Sequence, residues 1–564
     1  MKKGRCTKFG ECSLADNKMY QSFQEGHEQL CQECGSRLII ITESNGLRIA
    51  IIFGIIFVFL AGIVFGVINF LNNKKTLSNS KVSIESQKQL IVTKQQKSDQ
   101  INLSLDQWIG WRSILMANGG LDTKDGSIFN KLGLRVNIKN IDDNEIKLNA
   151  LMSKSLDAMG STINRYAFEF AKLKKANIPV KMIIITNTSD GGDGIIAQKG
   201  IKSIEDLAGK RVALARFTEA QCLLEWCLQN SSLSTSKIES IRNNLIFTDD
   251  AGKAGETFFA GKADAAATWQ PFLTQATNST DGHILVDTKT INNFILDGII
   301  FREDFIKYNR STVEKFIRGI IEATNALTSN PPNDSDSKYS YLVDSFPMCA
   351  NLKKEEIEGM FPDAHLSDYT DNVKYLSAKT GLAEEIFKQS SQIWKKIGEL
   401  ADPNFSSEAF DNSIIEGMNQ YFQKNEKNII NVKAEQRELA ISKSPILTKQ
   451  LTINFQTGKS TILEDSYAAL SDFSLTAKMA ERSIIQIEGN TDNVGNDLAN
   501  QELSAKRARA VAMYLQYQGI DPTRFITIGN GSKKPIASNG TKDGRSKNRR
   551  TDIMLKEIET HKKK

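Results

Sequence analysis

The apolar segment from Ile49 to Leu71 is the feature that most restricts how this chain can fold. It contains no charged residue, and its one strongly polar residue, Asn69, lies near its end. About 20 consecutive apolar residues form a helix long enough to cross the hydrocarbon core of a bilayer. A cleaved signal peptide is shorter and begins closer to the N-terminus, and a buried core helix would have to be apolar on every face. The sequence therefore predicts one transmembrane helix over residues 49–71.

The residues flanking this segment indicate its orientation. Seven lysine and arginine residues precede it and three follow within the next ten positions, and basic residues favour the cytoplasmic side of a membrane. We therefore expect a single-pass inner-membrane protein with a cytoplasmic N-terminus and most of its chain in the periplasm. Residues 73–100 are rich in Lys, Ser, Gln and Asn, a composition typical of a linker.

Four of the seven cysteines lie in the predicted cytoplasmic segment, residues 1–46. The run Cys31-Gln-Glu-Cys34-Gly places two thiolates and a turn glycine at the spacing of a zinc site, although the first two cysteines are further apart than usual. His27 is a further candidate ligand. The segment resembles a zinc ribbon, which predicts a structural Zn ion; unrelated free cysteines are the alternative. The predicted ligands are Cys6, Cys12, Cys31 and Cys34.

The length and composition of the rest of the chain indicate several soluble domains. A chain of 564 residues is too long for one ordinary domain. Hydrophobic residues make up 40% of it and charged residues 24%, which argues against further membrane spans and against extensive disorder. The net charge of +6 is small, and basic and aromatic residues do not cluster as they do in nucleic-acid-binding surfaces. We therefore expect no nucleic-acid partner.

Strand-like and helix-like segments alternate from residue 101 to about residue 425, which predicts an α/β domain. The predicted strands include Leu134–Ile138, Val180–Ile185, Val212–Ala215 and Ile299–Phe301. The predicted helices include Glu145–Ser153, Glu219–Leu228 and Thr312–Leu327. Residues 426–447 are polar and are interpreted as a second linker. The chain then ends in a smaller α/β domain, residues 448–560.

This last domain places an acidic and a basic residue close together in the chain. Its predicted strands are Leu451–Phe455, Ser483–Ile487, Phe525–Ile528 and Asp552–Leu555, and its helices are Ser466–Met479 and Asp497–Gln518. Asp492 follows a strand, and Arg507 lies on the next helix on the side of Leu503, Val511 and Leu515. Arginine binds a carboxylate through two parallel hydrogen bonds, and aspartate accepts from an ammonium group. The pair suits a zwitterionic ligand; an ion pair that holds a turn to a helix is the alternative.

The sequence around this pair resembles the OmpA-like peptidoglycan-binding domain. The stretches that carry the resemblance are GNTDNVGNDLANQELSAKRARAVAMYL, GIDPTRFITIGNGSKKPIASN and KNRRTDIML. The resemblance implies a βαβαββ fold, peptidoglycan as the partner, and Asp492 and Arg507 as the ligand-binding pair. It also places Thr491, Asn500, Leu503 and Arg550 at characteristic positions of the motif. Thr551-Asp552 departs from the family pattern, but at a strand position.

Residues 101–400 resemble the periplasmic substrate-binding proteins of nitrate, sulfonate and taurine ABC transporters. The stretches that carry this resemblance are Leu134–Phe170, Gly200–Ala213 and Phe258–Phe272. It implies two α/β lobes with a small solute between them. Helix N-termini and strand ends offer free N–H groups, so we expect an anionic solute. The predicted solute-binding residues are Trp108, Ser161, Thr162, Ser189, Asp190, Thr218, Trp269 and Asp297. The loop Asp190–Gly194 suits a cation, an ammonium group or a tight turn, and we favour the turn.

The order of these segments favours a membrane-anchored sensor or tether with cytoplasmic and membrane protein partners. A solute-capturing component of an ABC-type uptake system is the alternative. An ion-driven stator would need an ionisable group within the membrane, and residues 49–71 contain none. An enzyme is disfavoured because the chain has no HExxH motif, nucleophile elbow or phosphate-binding loop.

Overall fold

A computed structural model describes most of the chain beyond the first linker. The described residues are 2–5, 20–23, 31–32, 39–41, 98–329, 336–350, 352–377, 381–400, 406–425, 432–442, 445–456 and 458–558. They belong to two units, residues 1–95 and residues 96–564.

The first unit contains a small antiparallel sheet. Its strands, in the order β2-β1-β3, are β1 (Lys2–Arg5), β2 (Tyr20–Phe23) and β3 (Ile39–Ile41). Cys31 is buried, whereas Cys6, Cys12 and Cys34 lie outside the described residues, so the zinc site stays a prediction. Among the described residues, no group of three or more His, Cys, Asp or Glu is arranged to hold a metal ion.

The predicted transmembrane segment, residues 49–71, also lies outside the described residues. Of the helices in the described ranges, none has both the length and the hydropathy needed to cross a membrane.

The second unit begins with a two-lobed α/β domain. Its strands are β4 (Gln100–Leu105), β5 (Arg135–Asn140), β6 (Ala158–Thr162), β7 (Val180–Ser189), β8 (Asp193–Gln198), β9 (Val212–Ala215), β10 (Leu245–Thr248), β11 (Ala265–Trp269), β12 (Gly282–Asp287), β13 (Leu296–Arg302) and β14 (Ala364–Leu366). Its helices are α1 (Arg112–Asn118), α2 (Ile128–Lys131), α3 (Asn144–Met152), α4 (Ile163–Lys175), α5 (Glu219–Gln229), α6 (Thr235–Asn243), α7 (Ala251–Phe259), α8 (Phe272–Asn278), α9 (Glu303–Tyr308), α10 (Arg310–Ser329), α11 (Asp336–Ser345), α12 (Lys354–Met360), α13 (Tyr369–Tyr375), α14 (Leu382–Lys396), α15 (Ser406–Ala409) and α16 (Ser413–Gly417).

Each lobe is built on its own sheet. The first lobe has the strand order β14-β7-β13-β6-β4-β5, and the second has β10-β9-β11-β8-β12. The chain crosses between lobes twice, from β7 to β8 and from β12 back to β13. β7 and β13 are buried along almost their whole length, as expected for strands covered by helices on both faces. The predicted two-lobed α/β architecture is confirmed.

The C-terminal domain has the predicted βαβαββ order with one additional short helix. Its elements, after helix α17 (Ala434–Ser442), are β15 (Leu447–Leu451), α18 (Tyr467–Met479), β16 (Ser483–Asn490), α19 (Asp497–Tyr517), β17 (Phe525–Gly531), α20 (Lys542–Asn548) and β18 (Thr551–Glu557). The strand order is β15-β18-β16-β17, with β16 and β17 parallel. A Cβ atom on Gly489 would lie 2.2 Å from the Ser504 carbonyl oxygen, so glycine allows α19 to pack closely on β16.

Two details differ from the sequence prediction. The first strand is Leu447–Leu451 rather than Leu451–Phe455, because residues 452–455 leave the sheet and line a pocket beside Arg507. Residues 426–447, interpreted as a linker, contain helix α17. Val432 and Ala440 in this region pack against Ile484 and Ile558, so its few apolar residues attach it to the sheet.

The C-terminal domain contacts both segments in which the chain crosses between the lobes. Arg482 forms an ion pair with Asp190 in the first crossover. In the second, the backbone N–H of Asn293 donates to the Met479 carbonyl oxygen at 3.0 Å, and Asn293 Nδ2 donates to Glu481 Oε2 at 2.9 Å. The junction between the two lobes is therefore covered by the C-terminal domain.

Candidate functional site

A cavity of about 340 Å³ lies between the two lobes, beside the two crossovers. This volume is within the range of small-molecule sites. Five of the eight predicted solute-binding residues line it, and they come from both lobes. These residues are Trp108, Thr162, Thr218, Trp269 and Asp297.

The other three predicted residues do not line this cavity. Ser161 donates to Glu169 Oε2 at 2.7 Å inside the first lobe, and Ser189 shares a hydrogen bond of 2.8 Å with Thr288. Asp190 faces the C-terminal domain through its ion pair with Arg482. Each of these side chains already has a partner within the protein, and their role in solute binding stays a prediction.

One guanidinium group, that of Arg165 on α4, lines the cavity. Its Nη2 lies 3.3 Å from Asp106 Oδ2, its Nε lies 3.2 Å from Glu169 Oε1, and its Nη1 lies 3.8 Å from Glu219 Oε2. Burial alone would lower the pKa of Arg165, but these carboxylates outweigh burial and raise it. Arg165 is therefore held as a cation by acidic groups of the protein.

The cavity carries an excess of carboxylates. Asp193, Glu219 and Asp297 are almost completely buried in its wall. Burial, and then the neighbouring Glu219, raise the pKa of Asp193 to about 7. Burial, followed by repulsion from Asp106, Asp193 and Glu219, raises the pKa of Asp297 well above its ordinary value. Further acidic residues line the same cavity, namely Asp142, Asp249 and Asp250.

The charge of the solute stays a prediction, and this charge pattern does not favour an anion. The N-terminus of α5 does reach the cavity, as predicted, but Glu219 is its first residue. Glu219 places a negative charge where a helix N-terminus would otherwise attract an anion. Sequence reasoning missed Glu219 and Arg165, and it included Asp193 only within the loop Asp190–Gly194, for which a turn was favoured. For Glu219, the available signal was an acidic side chain in the first turn of a predicted helix.

The raised pKa of Asp193 predicts a stability that depends on pH. The folded state binds this proton more tightly than the unfolded state, so the free energy of unfolding should fall as pH rises from about 4 to 7. Glu219 and Asp297 face Asp193, and their pKa values are raised as well. The positive charge of Arg165 acts in the opposite direction and lowers the pKa values of Glu219 and Asp297. Asp193→Asn should therefore stabilise the solute-free protein by about 2 kcal/mol at pH 8 and have little effect at pH 5.

Urea denaturation at the two pH values measures this difference. Asp125→Asn, on an exposed turn, is the matched control and should change little at either pH. An equal effect of Asp193→Asn at pH 5 and pH 8 would contradict the prediction.

A second, smaller pocket of about 130 Å³ lies in the C-terminal domain, between β16, α19 and the residues after β15. Arg507, Arg549 and Arg550 line it. The Arg507 guanidinium lies over the Phe455 ring, 4.8 Å from its centre, and its Nε donates to the Lys459 carbonyl oxygen at 3.2 Å. Burial, and then repulsion from Arg549, lower the pKa of Arg507. This pocket therefore favours an anionic group.

Asp492 lies next to this pocket. Its Oδ2 is 2.7 Å from Arg549 Nη1, and its Oδ1 accepts from the Val494 N–H at 3.1 Å. The sequence predicted Asp492 and Arg507 as a pair, whereas the direct ionic partner of Asp492 is Arg549. The negative charge of Asp492 acts to raise the pKa of Arg507, so the two side chains belong to one charged site. The sequence prediction did not include Arg549, because the OmpA-like motif pointed to its neighbour Arg550.

The remaining motif residues shape this site. Asn500 Nδ2 donates to the Val494 carbonyl oxygen at 3.0 Å and holds the loop after β16 to helix α19. Arg550 forms an ion pair with Asp552 at 2.9 Å and is less free to bind a ligand than Arg507. Thr491 is buried and Leu503 is half-buried on α19, so both support the loop and the helix.

Comparison with known proteins separates the same two regions. Residues 454–549 match the model of the OmpA family, and residues 124–333 match the model described as NMT1/THI5 like. The chain is 40% identical over 101 residues to outer membrane protein A of Bordetella avium, covering 18% of this chain and 52% of that protein. It is 37% identical over 119 residues to the peptidoglycan-binding protein ArfA of Mycobacterium tuberculosis, covering 20% of this chain and 36% of that protein.

The chain therefore spans about half of the first of these relatives and about a third of the second. Among solved structures, the alkanesulfonate-binding protein SsuA from Xanthomonas axonopodis pv. citri bound to MOPS aligns with a TM-score of 0.42 and 16% identity. That alignment covers 56% of this chain and 99% of the other. The chain thus combines an NMT1/THI5-like domain with a C-terminal OmpA domain.

Proposed function

We propose that this chain is an envelope protein that binds peptidoglycan through its C-terminal domain and a small solute between the lobes of its larger domain. The observation that carries the proposal is the charged site of the C-terminal domain. Arg507 is half-buried in a pocket shaped for an anionic group, and Asp492 lies beside it. A ligand with both a carboxylate and an ammonium group, such as the diaminopimelate residue of a peptidoglycan stem, matches this arrangement.

The ion pair between Asp492 and Arg549 is compatible with such a ligand. The Arg549 side chain is 46% exposed, and ion pairs with an exposed partner contribute little to stability. A ligand ammonium group can therefore replace Arg549 at Asp492 at low cost. In the proposal Arg507 binds the ligand carboxylate, Asp492 binds the ammonium group, and Thr491, Asn500, Leu503 and Arg550 maintain the site.

Co-sedimentation with purified sacculi tests this part of the proposal. The full chain should sediment with sacculi, and free diaminopimelate should release it in a concentration-dependent manner. A chain that stays in the supernatant, or sediments equally with and without the competitor, would contradict peptidoglycan binding at this site.

The proposal also places the protein in the inner membrane, with a helix over residues 49–71 and a zinc site at Cys6, Cys12, Cys31 and Cys34. A solute-binding domain fixed between a membrane and the cell wall cannot diffuse as a carrier does. We therefore favour a sensor or a tether, which acts through cytoplasmic or membrane protein partners.

Contacts between the C-terminal domain and the crossovers support a coupled role and predict cooperative unfolding. Asn293→Ala combined with Arg482→Ala removes side-chain hydrogen bonds and an ion pair, each worth about 1–3 kcal/mol where buried. Calorimetry should then resolve the single transition of residues 96–564 into two. Arg509→Ala, exposed on α19, should leave a single transition. Two separate transitions in the unaltered protein would contradict the coupling.

A further inference from the structure

The basic residues described in and beside the cavity between the lobes are already paired with carboxylates of the protein. Arg165 is within ion-pair distance of Asp106, Glu169 and Glu219. The other buried cation nearby, Lys147, contacts Asp106 Oδ2 at 2.9 Å. An anionic solute would have to displace carboxylates from both groups, and each displaced carboxylate would remain buried without a partner. The free energy of such an exchange is unfavourable.

The helix N-terminus at the cavity is also neutralised by the protein itself. Glu219 is the first residue of α5 and is 3% exposed. Its carboxylate interacts with its own backbone N–H, so it occupies the place that an anion would take. Glu219 lines the cavity, and its Oε2 accepts no hydrogen bond from the described residues. A donor group of a bound molecule can satisfy this oxygen.

Asp297 and Asp193 present further carboxyl groups to the same space. Asp297 is 5% exposed, and within the described part of the chain only its backbone oxygen accepts a side-chain hydrogen bond. Asp193 enters from the other lobe, at the start of β8. Among the described residues no three acidic groups are arranged to hold a metal ion.

Part of the cavity wall is aromatic and apolar. Trp108 and Trp269 line it from opposite lobes, together with Met348 and Met360. The indole of Trp108 is held by a hydrogen bond of 2.9 Å from its Nε1 to Asn187 Oδ1. Tryptophan faces attract organic cations, and apolar walls accommodate a hydrocarbon body. The wall therefore complements a molecule that is charged at one end and apolar at the other.

We infer that the solute bound between the lobes is a small organic cation, a protonated amine or quaternary ammonium group on an apolar body. This inference rests on the proposed solute-binding function and specifies its ligand class. The ammonium group lies among Asp193, Glu219 and Asp297, and the apolar body packs between Trp108 and Trp269. The bound ammonium group adds positive charge opposite these carboxyl groups.

Matched probes test the ligand class. The full chain is titrated with benzylammonium, benzyl alcohol and phenylmethanesulfonate, and with the corresponding butyl compounds, by calorimetry and by thermal shift at pH 8. The ammonium member of a series should bind and raise the melting temperature, and the alcohol and sulfonate should bind at least about tenfold more weakly. Equal binding of the alcohol, or preferential binding of the sulfonate, overturns the cation inference and leaves solute binding intact. Binding by no member of either series contradicts the proposed solute-binding function itself.

Isosteric variants test the site. Asp297→Asn and Glu219→Gln keep the shape of each side chain and remove its ability to carry a negative charge. Each should lower the affinity for the ammonium probe at least tenfold. Neither should lower the melting temperature of the solute-free protein, which verifies folding. Asp125→Asn on the exposed surface should leave the affinity unchanged. Unchanged affinity in both cavity variants would overturn the assignment.

Discussion

Replacing Arg165 with methionine is expected to lower the free energy of unfolding by about 3–5 kcal/mol at pH 7. Methionine fills a similar volume but leaves Asp106, Glu169 and Glu219 without the guanidinium that they surround. Glu169 and Glu219 are almost fully buried, so water cannot replace the lost charge. Urea denaturation followed by tryptophan fluorescence measures the effect.

The loss should be smaller at pH 5, because carboxylates left without a cation take up protons more easily. Arg135→Met is the matched control, since Arg135 and its partner Asp99 are both largely exposed and exposed pairs contribute little. A loss below about 1 kcal/mol for Arg165→Met at pH 7 would mean that the buried carboxylates are not held by this group.

The second large effect concerns the proposed peptidoglycan-binding site of the C-terminal domain. Asp492→Ala and Arg507→Ala should each weaken co-sedimentation with sacculi by at least about 30-fold, the value expected for loss of a charge-assisted hydrogen-bonded contact. Asp492 is buried and Arg507 is stacked on Phe455, so alanine removes a charged group that is held in a fixed place. Circular dichroism checks that both variants fold.

Arg549→Ala separates a ligand-binding role from a structural ion pair. In the proposed site Arg549 leaves Asp492 when a ligand ammonium group arrives, so this variant should keep or increase the affinity for sacculi. If Arg549→Ala abolished binding while Arg507→Ala did not, the assignment of Arg507 as the carboxylate-binding group would be wrong. Asp543→Asn, on the exposed surface of α20, serves as the control.

Local sequence pattern was enough to place most regular elements. The strand Val212–Ala215 was predicted at its observed bounds, and helix α19 was predicted to within one residue at its end. In both elements the apolar residues recur at the spacing of the secondary structure, and the ends are marked in the sequence. Helix α17 was missed because it is mostly polar, and its stability comes from a few contacts with the distant strands β16 and β18, which are not visible in a local window.

The sequence predicted several of the residues that line the candidate site, but it did not predict the charge of the site. Trp108 and Asp297 were expected at the cleft and lie there. The charge of the cleft depends on which acidic groups are neutralised, and that is decided by contacts between residues far apart in sequence. Arg165 meets Asp106 only after β4 and α4 pack in the first lobe, and it meets Glu219 only after the two lobes come together. No local pattern therefore distinguishes a committed arginine from one that binds an anion.

The docking of the C-terminal domain on the crossovers has a geometric consequence. If the lobes rotate relative to each other, the axis passes near the crossovers, and atoms close to an axis move least. Contacts at Asp190 and Asn293 can then survive any opening angle. Contacts farther from the crossovers cannot, such as the 3.0 Å hydrogen bond from Lys449 to Asn230 after α5. This outlying contact would stretch as the opening angle grows, so the C-terminal domain can register the position of the lobes while it stays attached to both.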